Sequence, residues 1–230
     1  NVLITLLLAG IPAGLVLVEP DLGSSMVILA VWFGILLVSP ISKKRVFILI
    51  LCGMLAAGLA WQFGLHDYQR TRLEIFLNPG LDPRGEGYNL RQAIIAVGSG
   101  QLLGRGLGKG LQSQLRFLPE RQTDFIFATA AEEIGFVGSC VLVGLYVLLM
   151  LRILAVARKA RDELGRYLAF GIFFLFFFQV TVNIAMNIGL APVTGIPLPL
   201  LSYGGSSLIV TCLALGIVHN ISWQSRALRF

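Results

Sequence analysis

Six stretches of this chain, at residues 1–18, 22–39, 46–65, 125–151, 167–190 and 203–222, are almost free of charged side chains. Each runs for about twenty residues, the length a helix needs to cross a hydrocarbon layer about 30 Å thick. Lipid offers no hydrogen-bond partner to an open backbone, so only helices and closed barrels span it. The runs are too long for barrel strands, which need about ten residues. The expected fold is therefore all-α, a polytopic transmembrane helical bundle forming one domain over residues 1–230. Composition excludes the ordinary water-soluble alternative. Only 13% of residues are charged, against about a quarter in soluble domains. A mean hydropathy of +0.82 spread along the whole length also excludes a single anchor or a cleaved signal peptide. Cys52, Cys140 and Cys212 each sit in an apolar stretch without a CxxC partner, so no disulfide framework or zinc site is expected. The chain opens on Asn1 inside a hydrophobic run and reads as the C-terminal part of something longer.

Charge sets the expected orientation. Lys43, Lys44 and Arg45 mark one short connection, Arg152, Arg158, Lys159, Arg161 and Arg166 flank another, and Arg226 and Arg229 close the tail. Short loops rich in Lys and Arg remain on the cytoplasmic side. Six alternating helices put all three groups there, so residues 19–21, the loop 66–124 and residues 191–202 face outward. The long loop carries eight basic residues, Arg70, Arg72, Arg84, Arg91, Arg105, Lys109, Arg116 and Arg121, but long loops translocate largely regardless of charge. Apolar residues recur at helical spacing over 68–76 and 88–97, separated by Asn78, Pro79, Gly80, Asp82, Pro83 and Gly85. That pattern predicts two short amphipathic helices lying at the outer interface.

Several motifs invite chemistry. The run GSGQLLGRGLGKG at 98–110 looks like a phosphate loop, but Gly104 to Lys109 is one residue short of GxxxxGK and Gly110 replaces the magnesium-holding hydroxyl. A flexible cationic turn open to a lipid headgroup is the better expectation. Acids at a membrane are costly and mark candidate sites. Glu19, Asp21, Asp124, Glu132 and Glu133 qualify, with helix capping an equal reading for Asp21 and an open one for Asp124. Asp124 also has Arg116 and Arg121 upstream and Glu132 two helical turns later. A partly desolvated carboxylate in such company can act as a base for a hydroxyl or as a ligand for a divalent cation. Asn183, Asn187 and Gly189 then lead into three prolines and repeated glycines at 191–207. Such a segment reads as a broken-helix element lining a cavity, because irregular backbone at this depth must be buried in protein or wetted.

These residues resemble the SEDS membrane glycosyltransferases, the RodA-like branch more than the FtsW-like one. The resemblance is carried by EPDLGSS at 19–25, FLPERQTDFIFA at 117–128, AEEIGFVG at 131–138 and NIGLAPVTGIPLPLLSYGGSS at 187–207. It implies a ten-helix fold of which the last six are present here. It further implies polymerisation of lipid II into peptidoglycan strands on the outer face of the cytoplasmic membrane, in the service of side-wall elongation. Asp124 matches the family's essential aspartate and would activate the acceptor hydroxyl, with a divalent cation (magnesium or manganese) whose ligands the sequence does not assign. Glu19, Asp21, Arg116, Arg121, Ser202, Gly204, Gly205 and Ser206 would place substrate. The implied partners are lipid II, the undecaprenyl-pyrophosphate-linked glycan and a class B penicillin-binding protein, with no nucleic acid. A lipid II flippase, or a noncatalytic scaffold for the transpeptidase, is the competing reading.

Overall fold

The computed structural model describes residues 2–19, 21–59, 67–78, 80–82, 85–110, 120 and 122–226. Among them run α1 (Val2–Val18), α2 (Leu22–Val38), α3 (Lys43–Leu59), α4 (Asp67–Leu77), α5 (Glu86–Ser99), α6 (Ile126–Lys159), α7 (Glu163–Asn187) and α8 (Gly205–Arg226), with no strand. Each of the six apolar runs carries a helix. α6, α7 and α8 are long and apolar enough to cross a membrane. α1 and α2 are as apolar, but at 17 residues each they rise only about 25 Å, short of a hydrocarbon layer about 30 Å thick. The six full crossings expected are therefore three by length among the described residues. The run at 46–65 appears as α3, and its last residues lie outside the described ones.

Local chemistry sets the helix ends. Asp21 starts α2 by accepting the Ser24 N–H at 2.9 Å on Oδ1, and Asp162 starts α7 by accepting the Gly165 N–H at 3.1 Å on Oδ2. The link between α6 and α7 is so short that the two must run antiparallel. α7 lies at the centre, between α2 and α6, with α1 outside α2, α5 against α6, and α8 against α6 and α7. In lipid, burial offers little driving force between helices, so close packing decides. Ala157 and Ala169 are fully buried where α6, α7 and α8 meet, and Gly34 of α2 receives the Phe174 ring, which a Cβ there would overlap. The outward faces expose large apolar residues such as Leu3, Leu7 and Leu15 on α1 and Val141, Leu145 and Leu148 on α6, as a lipid-facing surface requires.

α6 is broken at Gly135, whose φ of 68° and ψ of −170° are not helical. The glycine-rich run splints the break. Arg105 and Gly106 N–H groups donate to the Glu132 and Glu133 carbonyls at 3.0 Å each, while Phe136 and Val137 N–H groups donate to the Gln101 and Leu102 carbonyls at 2.8 and 3.1 Å. A Cβ on Gly100, Gly104 or Gly135 would strike the opposing backbone. These glycines therefore serve backbone-to-backbone approach, which corrects the expectation of a flexible headgroup-binding turn over 98–106. The two loop helices exist as expected, but α5 does not merely lie at an interface. Ala93 and Ala96 are fully buried against Phe125 and Ala128, which docks α5 onto the start of α6.

The bundle has two distinct ends. The start of α2, the start of α6 and residues 194–203 gather at one, since Gly23 abuts the Thr194 carbonyl and the Tyr203 N–H reaches the Gln122 carbonyl at 2.7 Å. At the other, Val38 and Pro40 line a cavity with Arg158 and Arg166. α2, α6 and α7 thus alternate as charge predicted, with the basic groups of α6 and α7 opposite Asp124.

Candidate active site

Asp124 stands just before α6, whose N-cap is Phe125 without a side-chain cap. The first N–H groups of a helix have no partner inside it, and here the partner comes from α7. Asn187 accepts the Ala128 N–H on Oδ1 at 3.1 Å and donates from Nδ2 to the Asp124 carbonyl at 3.0 Å. Asn183, one turn earlier, donates to the same carbonyl at 3.0 Å and to the Ile196 carbonyl at 2.8 Å. Both amides are fully buried. They tie Asp124, the start of α6 and the 194–199 segment to one rigid helix.

The proline-rich segment is stitched to the same place. Ser202 Oγ donates to the Thr123 carbonyl at 2.7 Å and accepts the Leu198 N–H at 2.8 Å, and the Tyr146 hydroxyl of α6 donates to the Pro199 carbonyl at 2.6 Å. Ile196 and Leu198 are buried. The segment is thus irregular backbone held inside the bundle end, as its composition suggested. Ser202, a substrate-placing candidate by sequence, ties the residue before Asp124 to Leu198 of this segment.

The Asp124 carboxyl is half-buried and faces Gly195, where a Cβ would lie 3.7 Å from Oδ2. Gly195 has φ +69°, a conformation that glycine adopts freely. Burial raises the Asp124 pKa above the usual carboxylate value and Glu120 raises it further, while the Thr123 hydroxyl and the Arg72 guanidinium pull it down. Glu120 is itself at φ 53°, an uncommon conformation for a non-glycine residue. Arg72 of α4 pairs with Glu86 at the start of α5, Nε to Oε1 at 2.9 Å. The loop helices thereby bring a guanidinium into the field of Asp124.

The other expected residues divide. Asp21 caps α2 and is exposed, and Glu19 is exposed beside it. Their turn is held near the site through Gly23 and through Ser25, which donates to the Ala13 carbonyl at 3.1 Å. Gly204, Gly205 and Ser206 form the entry to α8, directly after Ser202. Asp124 is not a helix cap, because it lies one residue before the N-cap position. Glu132 is completely buried just before the break in α6. Arg116 and Arg121 lie outside the described residues. Sequence reasoning missed Arg72 and Gly195 as groups acting on or facing Asp124, and the holding role of the two asparagines. The available signal was Asn183 and Asn187 one turn apart in an otherwise apolar helix, since amides there usually bond across helices.

Among the described residues no three His, Cys, Asp or Glu side chains converge. The donor set still fits a magnesium-type ion, which commonly takes one or two carboxylates and completes its shell with water and substrate phosphate. Asp124 and Glu120, near enough for Glu120 to perturb Asp124, would be the carboxylates to hold such an ion.

Residues 1–227 match the family model described as cell cycle protein, FtsW/RodA/SpoVE. The chain is 44% identical over 228 residues to the peptidoglycan glycosyltransferase MrdB of Escherichia coli K12, covering 99% of this chain and 62% of that protein. It is 40% identical over 217 residues to the probable peptidoglycan glycosyltransferase FtsW of Pseudomonas fluorescens SBW25, covering 93% of this chain and 53% of that one. Its fold matches a chain of a peptidoglycan synthase complex that coordinates polymerization and crosslinking, with TM-score 0.78 and 34% identity over 96% of this chain and 61% of that one. It also matches the rod shape determining protein RodA of Thermus thermophilus, with TM-score 0.64 and 31% identity over 97% of this chain and 56% of that one. The chain thus spans less than two thirds of the length of these relatives.

Proposed function

The chain belongs to the FtsW, RodA and SpoVE family of cell cycle proteins, and from that premise we propose that it carries the reacting end of a peptidoglycan glycosyltransferase that polymerises lipid II. The observation that carries this reading is the placement of one half-buried carboxyl, Asp124, where three separate segments meet at one end of the bundle. In the proposed step Asp124 takes the proton of the acceptor sugar's 4-hydroxyl. The freed oxygen attacks the anomeric carbon of the growing strand, the bond to undecaprenyl pyrophosphate breaks, and the electron pair leaves with the pyrophosphate. A single displacement of this kind inverts an α linkage to β and needs one base, not the paired carboxylates of glycoside hydrolysis. A carboxyl with a raised pKa is a stronger base once ionised, and burial supplies that here. A bound divalent cation would neutralise the departing pyrophosphate, held by Asp124 and Glu120. In this reading the guanidinium groups of Arg116 and Arg121, which lie outside the described residues, would offset pyrophosphate charge.

The end bearing Asp124 faces outward across the bacterial cytoplasmic membrane, a reading supported by the basic residues at the opposite end. A class B penicillin-binding protein would crosslink the product, which the likeness to a polymerising and crosslinking complex supports. The stronger identity to MrdB than to FtsW favours a role in elongation. The test is to incubate the full-length protein with lipid II and magnesium or manganese and to separate the glycan products. Polymer is expected from the parent and none from Asp124→Asn or Asp124→Ala. Parental polymer yield from either variant, or transfer of lipid II across sealed vesicles without polymer, would overturn the proposal.

A further inference from the structure

At the basic end of the bundle, far from Asp124, α6 and α8 part to form a cleft of about 450 Å³, within the size range of small-ligand sites. Arg152 and Lys159, two turns apart on α6, line one side, and His219, Ser222 and Ser225 of α8 line the other. Aliphatic residues of both helices form its wall, and among the described residues no carboxylate lines it. Neither Arg152 nor Lys159 has an ion-pair partner among the described residues. Ser225 Oγ already donates to the Ser222 carbonyl at 2.8 Å and can offer the cleft only its lone pairs, whereas the Ser222 hydroxyl makes no such bond among the described residues.

A second cavity at the same end shows what a neutralised site looks like. It is lined by Arg158, Arg166 and Glu163, and Glu163 lies 3.4 Å from Arg166 Nη2. The α6–α8 cleft has the cations without the counter-ion. A cationic side chain within a membrane-spanning helix is costly and normally finds an anion or a polar partner. Ile153 and Val218 of the wall are buried in the core, while the neighbouring Leu148, Leu151 and Ile217 are exposed, as is Trp223 on α8, an aromatic of the kind that meets headgroups.

We propose that this cleft binds the phosphate of an anionic phospholipid from the leaflet at the basic end, with Arg152, Lys159, His219 and Ser222 around the headgroup and the acyl chains along the α6–α8 wall. The site is independent of the glycosyltransferase reading. It gives the bundle a lipid contact at the end opposite the reaction.

The test uses the full-length protein in nanodiscs of phosphatidylcholine carrying a minor fraction of labelled phosphatidylglycerol, with lipid retained after delipidation as the readout. Each cation near an anionic lipid contributes about a fivefold preference. The parent is therefore expected to retain phosphatidylglycerol over phosphatidylcholine by at least that factor, Arg152→Gln with Lys159→Gln to lose the preference, and Arg152→Lys to keep most of it. Two results would overturn the proposal. One is an equal loss in Arg166→Gln, which would mean diffuse surface charge in place of a site. The other is full competition by millimolar glycerol phosphate, which would mean a site for soluble phosphate. A double variant that unfolds is replaced by Ser222→Leu, which fills the cleft without removing charge and is expected to lower retention severalfold. Unchanged retention in that variant counts against the proposal.

Discussion

Asn183 and Asn187 share one acceptor, the Asp124 carbonyl, and this sharing gives a double-mutant cycle a definite sign. Asn187→Ala leaves the Ala128 N–H without its acceptor, about 1–3 kcal/mol for a buried group. The Asp124 carbonyl keeps the Asn183 amide, so that loss adds only about 0.6 kcal/mol, the mean for polar pairs in a membrane bundle. With the void left by the amide, the single change costs about 2–4 kcal/mol. Asn183→Ala similarly leaves the Asp124 carbonyl to Asn187 but orphans the Ile196 carbonyl, about 1–3 kcal/mol. Only the double variant strips the Asp124 carbonyl of both. Its destabilisation should exceed the sum of the singles by about 1–2 kcal/mol. Equilibrium denaturant unfolding of the four proteins in one micelle composition measures this. Polymerisation kinetics supply a second readout, because displacement of the base lowers kcat while KM for the lipid-linked donor stays within about twofold. Additive stabilities, or an Asn187→Ala variant with parental stability and kcat, would refute the view that α7 holds Asp124 in place.

The remaining expectations concern the carboxyl and the backbone around it. Because the Asp124 pKa is raised from 3.8 by burial and by Glu120, the acid limb of the pH–rate profile should lie above that of an ordinary carboxylate. Glu120→Gln should move it down and Arg72→Gln up. The same shift means that ionised Asp124 is disfavoured by the fold, so its presence lowers stability as pH rises from the unfolded pKa through the folded one. Asp124→Asn removes that loss, and above that window its thermal midpoint should equal or exceed the parent's. Gly135→Ala places a Cβ against Gly104 at φ +68°, so destabilisation beyond about 3 kcal/mol is expected. Gly108→Ala, at φ +67° with open space around it, should cost only about 1–2 kcal/mol, and equal effects at the two sites would contradict the splint at the break in α6. Tyr146→Phe removes the hydroxyl that bonds the Pro199 carbonyl at 2.6 Å and should cost about 1 kcal/mol by the same unfolding measurement.

Much of this architecture follows from side-chain type alone. Apolar runs with no charge become helices wherever lipid denies the backbone other partners, so each of the six runs, from 1–18 to 203–222, forms one. Charge placement likewise foretold that Arg158 and Arg166 would share the end opposite Asp124, since alternation along a chain is a one-dimensional property. The capping residue Asp21 and the loop helices α4 and α5 were legible for the same local reason.

Contacts between distant segments decided the rest. The glycine run at 98–110 suggested a flexible cationic turn because glycine spacing does not reveal what approaches the bare backbone, and over 100–106 the answer was the broken α6 around Gly135. That the Ser202 hydroxyl bridges Thr123 and Leu198 was likewise not legible along the chain. Arg72 drew no notice among eight loop cations until folding of α4 and α5 brought it into the field of Asp124. Periodicity and hydropathy specify which backbone leaves water, since each residue contributes its own transfer energy. The surroundings of the Asp124 carboxyl depend on groups as distant in the chain as Arg72 and Gly195, and only packing brings those together.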